Sequence, residues 1–393
     1  MQAHESIDPG WPSIPLLSQR KSRFRMARSA PYAWEPTRQD RRDGASGGAE
    51  VAEIVLGLAS SHTPQMSTSA EFWKEHAARD ERNAQLLGRD GRYHSYDDLL
   101  ANADPGLAGE LEAPVWKDKF DRAQAAVGAL ARRLEQAAPD IVVIVGDDQH
   151  ELFGADGVPA IGLFTGERLW DLPPDAEHFA RIPKDIQRAN WAAHADGPDS
   201  YPVGAGLSQH LAAALTGREF DVTVMSAQPQ GRSLGHAFTF ARRRLHLAAE
   251  VPIVPVLLNT YYPPNVPGPA RCWRLGEALR AGIESWDADA RIAVFASGGL
   301  SHFVVLEDLD RAVLAGLAGG DGAALGQLPA DMLRSGTSET LNWITAGGAL
   351  SGLSFDLLDY IPAYRSPAGT GVGMAFATWN RDRAARTEQE TAA

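Results

Sequence analysis

The sequence predicts an α/β fold in which a central sheet carries helices packed against it. Three observations predict this. Short runs rich in Val, Ile, Leu and Ala alternate with amphipathic segments from residue 51 onward. The runs lack polar alternation, as expected for strands buried on both faces. Three of them end in small residues followed by histidine or acidic side chains: 53–59 leads into Ser60-Ser61-His62-Thr63-Pro64, 141–145 into Gly146-Asp147-Asp148-Gln149-His150-Glu151, and 292–296 into Ser297-Gly298-Gly299-Leu300-Ser301-His302. In an open α/β sheet the ligand crevice lies at the carboxyl ends of the strands, so three such ends point to an enzyme with a metal.

Taken in order, residues 1–50 are rich in Pro, Arg, Ser and Gly without periodicity and read as a disordered extension. The ordered catalytic domain is expected over 51–380, with a flexible polar tail over 381–393. Strands are predicted over 53–59, 140–146, 159–164, 221–226, 252–258, 291–297 and 372–378. Helices are predicted over 118–137, 207–216, 236–248, 271–286, 306–318 and 338–350. In the first of these, Phe120, Ala123, Val127, Leu130 and Leu134 recur at three- and four-residue spacing, an amphipathic stripe. A long insert, 67–117, follows the first strand. Phe72-Trp73 is expected to open a helix within it, and its length beside a site is typical of a lid or substrate wall. A second loop-rich insert spans 165–206. The alternation of strand and helix argues for layering around one sheet.

Composition narrows the function. A formal net charge of −13 argues against a general binder of nucleic acid or anionic membrane. Cys272 is the single cysteine, so a disulfide framework within the chain and a thiolate metal cage are both excluded. Any metal must be held by histidine, carboxylate or amide oxygen. No apolar run is long enough to span a bilayer, and the first 50 residues lack the apolar core of a secretory signal, which fits a cytoplasmic location.

Each candidate residue has a plain reading beside the chemical one. His62 precedes Thr63-Pro64, where proline restricts the backbone, and serves equally as a turn histidine or a ligand. The polar cluster 147–151 is either a solvated acidic turn or a cation site, since charges are not buried without partners; His150 in its middle favours the cation. His302 follows two glycines that permit close approach of a ligand, and its intrinsic pKa suits proton transfer near neutrality. Glu339 sits where a helix is expected to begin, with Ser335, Thr337 or Ser338 as candidate caps; a carboxylate there answers the helix dipole, and only the company of two histidines makes it a ligand. His236 opens a predicted helix, as a capping or a substrate-binding residue. Tyr261, Tyr262 and Asn265 on the proline-rich loop after 252–258 line a pocket or simply pack. Two histidines and one carboxylate form a facial triad for non-haem Fe(II), leaving positions open for a substrate and dioxygen.

Five segments, Ser60 to Pro64, Val142 to Phe153, Val254 to Gly276, Gly298 to His302 and Ser335 to Leu350, resemble in that order the class III, or LigB-type, extradiol dioxygenases, the family of the catalytic beta subunit of protocatechuate 4,5-dioxygenase. The resemblance runs over about residues 52–378. It implies a LigB-like mixed sheet and a non-haem Fe(II) enzyme that cleaves a catechol-type ring (protocatechuate, gallate, a methylgallate or a relative) with O2. It matches His62 and Glu339 to metal ligands, His302 to the acid/base histidine, and His236 to the substrate side, where Tyr261 of the proline-rich loop is also expected to bind substrate. Where the family has Asn-Asp-His, this chain reads Asp147-Asp148-Gln149-His150. An ungapped register puts Gln149 at the ligand position. The expectation is that the turn absorbs one residue and delivers His150, with Gln149 as the alternative and a weaker ligand. A homo-oligomer without a separate small subunit is expected. The competing reading is a non-catalytic or metal-poor binding protein on the same fold; a metallohydrolase ranks below it, because no carboxylate pair is placed to bridge two metals.

Overall fold

A computed structural model describes residues 51–381. The extension expected over 1–50 and the tail beyond Arg381 lie outside the described residues.

The main sheet has nine strands. In chain order they are β1 (Glu53–Ser60), β2 (Ile141–Gly146), β3 (Ile161–Phe164), β4 (Thr223–Met225), β5 (Ile253–Leu258), β6 (Arg291–Ser297), β7 (His302–Val304), β8 (Ser354–Tyr364) and β9 (Thr370–Asn380). The spatial order is β7-β9-β1-β6-β2-β5-β3-β4, with β8 also paired to β9. β1, β6, β2 and β5 run parallel as neighbours, while β9 is antiparallel to β1, β7 and β8, and β3 is antiparallel to β5. The sheet is therefore mixed, and its four central strands end at one edge.

Why the central strands form is visible residue by residue. Val143 and Val145 enter the core on one face of the sheet, and Val142 and Ile144 the core on the other. The same alternation sorts Ile292, Val294 and Ala296 from Ala293 and Phe295 in β6. Side chains alternate faces and both faces are covered, so the run is apolar throughout. Each fully buried Val, Ile or Phe contributes about 1.5–3 kcal/mol relative to exposure. The helices Ala205–Thr216, Pro269–Glu284, Glu307–Ala318 and Thr340–Ala349 cover one face; Ala113–Ala137 and His236–Arg243 cover the other.

Seven predicted strands and six predicted helices have counterparts, with differences at particular places. Helix 118–137 begins earlier, at Ala113, because Pro114 occupies its first turn, where a missing N–H costs nothing. Helix 236–248 ends at Arg243, and His246 has a left-handed backbone (φ 55°). β8, with partly exposed alternating positions, and the short rim strand β7 carry no buried apolar run and escaped the reading. The insert 67–117 contains the expected helix, Trp73–Asp80, plus a small hairpin pairing Leu86–Leu87 with Tyr93–His94 and the helix Tyr96–Ala101. Among the described residues no helix is long and apolar enough to cross a membrane.

Candidate active site

His62 leaves the end of β1, Asp147 the end of β2, Tyr261 the loop after β5, and His302 the start of β7, five residues past the end of β6. Glu339 arrives from the opposite layer, at the end of the 3-10 turn Ser335–Glu339 and the mouth of helix Thr340–Ala349. One donor atom from each of His62, Asp147 and Glu339 lies within 4.8 Å of the others, and all three residues are buried. His62 Nε2 is 3.3 Å from Glu339 Oε2. His302 Nε2 is 3.6 Å from the same oxygen.

Each group is held from behind. His62 Nδ1 meets Ser297 Oγ at 3.0 Å; donation there leaves Nε2 with its lone pair aimed into the cluster, where it has no hydrogen-bond partner. Gly299 N–H donates to Glu339 Oε2 (2.7 Å) and Tyr261 OH donates to Oε1 (2.9 Å). Asn342, one turn after Glu339, donates to Asp147 Oδ1 and to the Ser297 carbonyl, both at 3.0 Å. His302 Nδ1 meets the Leu300 carbonyl at 2.9 Å, which fixes the proton on Nδ1 and leaves Nε2 basic. Thr337 Oγ1 binds His302 N–H and its carbonyl, both at 3.0 Å. None of Ser335, Thr337 and Ser338 caps the helix, contrary to expectation: the N-cap is Glu339, without a side-chain cap bond. A Cβ on Gly299 would collide with the His302 ring, so glycine is required for that imidazole to fold back over the loop.

Burial and the charge of Glu339 push the Asp147 carboxyl up. Burial opposes the ionised form of Glu339 too, but the charges of His302 and His62 outweigh it and hold that carboxyl well below its usual value. Two buried carboxylates facing one unpartnered imidazole nitrogen is a donor set short of a cation. Oxygen and imidazole donors suit a divalent first-row metal, so the residues fit the expected ion.

His236 lies behind His62, ring edge to ring face with centroids 4.5 Å apart. Its Nδ1 is 2.8 Å from Glu151 Oε1. Burial disfavours its charge, but Glu151 overcomes that and raises His236 to about 9. Glu151 is correspondingly drawn down to about 2 by His236, against its own burial.

His150 is not delivered to the cluster. Asp148 accepts hydrogen bonds from the N–H groups of Leu152 (2.7 Å) and Phe153 (3.1 Å) and closes the turn tightly, so the one-residue shift is not absorbed. His150 takes a left-handed backbone (φ 64°) and its ring stacks on Tyr262 at 3.9 Å. Gln149 occupies the inner position instead, its Nε2 3.4 Å from Glu339 Oε1 and 3.2 Å from Asp147 Oδ2. Tyr262 and Asn265 do not line the cavity; Tyr261 does. Asp147, Glu151 and Asn342 were missed as individuals, though Asp147 is the first carboxylate after a buried strand and Asn342 lies at helical spacing from Glu339.

The same cavity is lined by His62, Gln149, His236, Tyr261, His302 and Glu339, and by residues of both inserts. Among curated proteins, a gallate dioxygenase of Pseudomonas putida (strain KT2440) is 38% identical over 111 residues, 27% of this chain and 31% of that protein. The chain thus matches under a third of that relative's length. Among solved structures, an uncharacterized Escherichia coli K12 protein matches with a TM-score of 0.38 and 15% identity over 65% of this chain and 91% of that one, too slight a likeness to argue from. Residues 106–313 match the family described as the catalytic LigB subunit of aromatic ring-opening dioxygenase; this stretch includes Asp147, His236, Tyr261 and His302 and excludes His62 and Glu339. With more than half its length matched, and a mixed sheet as the resemblance implied, the chain belongs to the LigB family.

Proposed function

We propose that this chain is an aromatic ring-opening dioxygenase that holds Fe(II) with His62, Glu339 and Asp147, the amide of Gln149 standing beside them, and acts on a catechol-type ring. The observation that carries the reading is the meeting of three donor atoms within 4.8 Å of one another, with the His302 imidazole 3.6 Å from Glu339. His150 has no part in it, and Asp147 takes up the charge role of the missing second imidazole.

When bound, the ferrous ion supplies adjacent coordination positions for a diol and for dioxygen and the electron density to activate the latter. The chain does the rest. Ser297 orients His62, and Gly299 with Tyr261 orients Glu339. His302 Nε2 accepts a proton from a ring hydroxyl and returns it to the opening product, its Nδ1–H staying on Leu300. His236, charged through Glu151, faces the anionic ring oxygen. A homo-oligomer and a reducing, cytoplasmic setting belong to the same proposal.

The test is iron content and oxygen uptake. Protein purified and reconstituted without oxygen should hold about one iron per chain, lost in Glu339→Ala, and should consume O2 with some member of a catechol and gallate panel. Iron-free protein after reconstitution, or iron-loaded protein inert to the whole panel, overturns it. The second outcome would favour a binding protein on this fold, a reading that Gln149 in place of a histidine supports.

A further inference from the structure

The imidazole of His302 has little freedom of its own. A Cβ on Gly299 would meet its ring, and one on Gly336 would meet its Cβ. Its place therefore follows the loop 298–302 that delivers it. That loop is tied down at several points. Trp343 Nε1 donates to the Gly298 carbonyl at 2.7 Å, and Gly299 N–H donates to Glu339. Leu300 N–H donates to the Gly373 carbonyl of β9 at 3.2 Å, and Gly373 N–H donates back to the Ser301 carbonyl at 2.9 Å. Ser301 is held by Asp310, a carboxylate that stands apart from the metal cluster.

Asp310 lies on helix Glu307–Ala318 and is 1% exposed. Ser301 N–H donates to its Oδ1 at 2.8 Å, while Ser301 Oγ and Tyr360 OH donate to Oδ2 at 2.7 and 2.8 Å. Ser301 Oγ accepts in turn from Leu306 N–H at 3.0 Å, which closes the loop onto the head of the helix. A Cβ on Gly373 would strike the carboxylate, so β9 makes room for it. Its three donors are neutral. The charged neighbours are occupied elsewhere: Arg311 pairs with Glu307 at 3.0 Å and lies over the Tyr360 ring, and Tyr364 OH donates to Glu307 at 3.0 Å. Burial pushes Asp310 up to about 6; the hydrogen bonds from Ser301 and Tyr360 oppose this, and the charge of Glu307 adds to it. A buried charge without a counter-ion is weak support for a fold, so its worth lies elsewhere. The ionised carboxylate accepts from all three donors. Protonation turns one of its oxygens into a donor that faces donors.

We propose that Asp310 is a positioning residue for His302: its ionised carboxylate is the clasp that keeps the loop 298–302, and with it the imidazole, in place beside Glu339. The role rests on the proposed part of His302 in ring opening, but the clasp itself stands on Ser301 and Tyr360. Asp310 is not among the residues that line the cavity. Its loss therefore acts on the proton step and leaves ring and metal binding alone. Acid opens the clasp as pH falls through about 6, because the ionised form is the one that accepts all three donors.

The first measurement reads the clasp without catalysis. In the full chain labelled with 15N-serine, the Ser301 amide (the signal missing from Ser301→Ala) should shift with an inflection near pH 6. Asp310→Asn should abolish that inflection. Tyr360→Phe removes a hydrogen bond to the ionised form and should move the inflection to higher pH. The second measurement is turnover of the iron-loaded protein. Asp310→Asn should lower kcat by about ten- to hundredfold, the worth of a hydrogen bond to a charged group, and should remove the acid limb of the kcat profile. KM and iron content should stay within about twofold, the scatter allowed to sites that do not touch. Tyr360→Phe should shift the acid limb upward, and it carries both measurements if Asp310→Asn does not fold. A parent Ser301 amide that does not titrate, an inflection that survives Asp310→Asn or stays put in Tyr360→Phe, or a kcat in Asp310→Asn equal to the parent's overturns the clasp. A titrating Ser301 that answers to both variants, in iron-loaded protein that consumes no oxygen, upholds the clasp and sinks the ring-opening reading alone.

Discussion

Each imidazole around the cluster is told which nitrogen to present by the partner of its other nitrogen. Ser297 sets His62, the Leu300 carbonyl sets His302, and Glu151 sets His236. If His302 carries the proton as proposed, its loss should cost more than the loss of a prop: His302→Ala should lower ring-opening turnover by about 10²–10⁴-fold with iron content unchanged, read by oxygen uptake and metal analysis. The His236–Glu151 pair makes a prediction in pH. His236 is raised from 6.5 to about 9, so its contribution to stability is whole below 6.5 and lost as pH rises through 9. Glu151 is lowered from 4.5 to about 2, so its contribution is whole above 4.5 and lost as pH falls through 2. In metal-free protein, resistance to denaturant should therefore fall between pH 6.5 and 9. Glu151→Gln should flatten that limb and bring the His236 titration, followed by NMR, down toward the ordinary value; an unmoved titration would show that Glu151 does not set it. His302, His62 and Glu339 were legible as candidates because each stands at a predicted element end. Asp147 was hidden in a run of polar residues where sequence cannot say which side chain turns inward.

At the scale of elements, the helix that brings Glu339 to the sheet is seated by backbone contact. A Cβ on Gly276 would strike the Thr345 carbonyl, and one on Gly348 the Trp273 carbonyl, so helices Pro269–Glu284 and Thr340–Ala349 meet without side chains between them. Gly348→Ala should destabilise by about 1–3 kcal/mol, as overpacking does, and should weaken iron binding by lifting Glu339 away. Thermal unfolding and metal titration check the two effects, and retained affinity in a destabilised variant would show that the turn Ser335–Glu339 seats the carboxylate by itself. The loop carrying His302 is anchored differently. Asp310 accepts from Ser301 N–H (2.8 Å), Ser301 Oγ (2.7 Å) and Tyr360 OH (2.8 Å), tying it to helix Glu307–Ala318 and to β8. Helix and strand positions followed from periodicity, but β8 did not, since its inward and outward residues are both mixed in polarity.

Over the whole molecule, the inserts 67–117 and 165–206 are drawn together beside the cavity that both help to line. Glu75 accepts two hydrogen bonds from Arg188, each at 2.8 Å, and the Arg188 guanidinium lies 3.6 Å from the Phe72 ring centroid. The pair is partly exposed, so Arg188→Ala should leave thermal stability nearly unchanged, while loosening the wall enough to raise KM; a KM equal to the parent's would show the inserts hold without it. A metal held by the proposed donors would link the layers as well, since His62, Asp147 and Glu339 come from the ends of β1 and β2 and from the opposite layer. Fe(II) at about a hundredfold over its Kd should add about 2.7 kcal/mol and raise Tm by several degrees, an increment that a chelator or Glu339→Ala removes. By itself the sequence determined the α/β layering, the strand ends that bring candidate side chains together, and a long insert after the first strand, because apolar periodicity and chain punctuation are local properties. The tertiary structure decided that Gln149 and Asp147, and not His150, turn inward, and that Glu339 is a neighbour of His62. Those are outcomes of backbone torsion in a closed turn and of packing between residues hundreds of positions apart, neither of which spacing along the chain encodes.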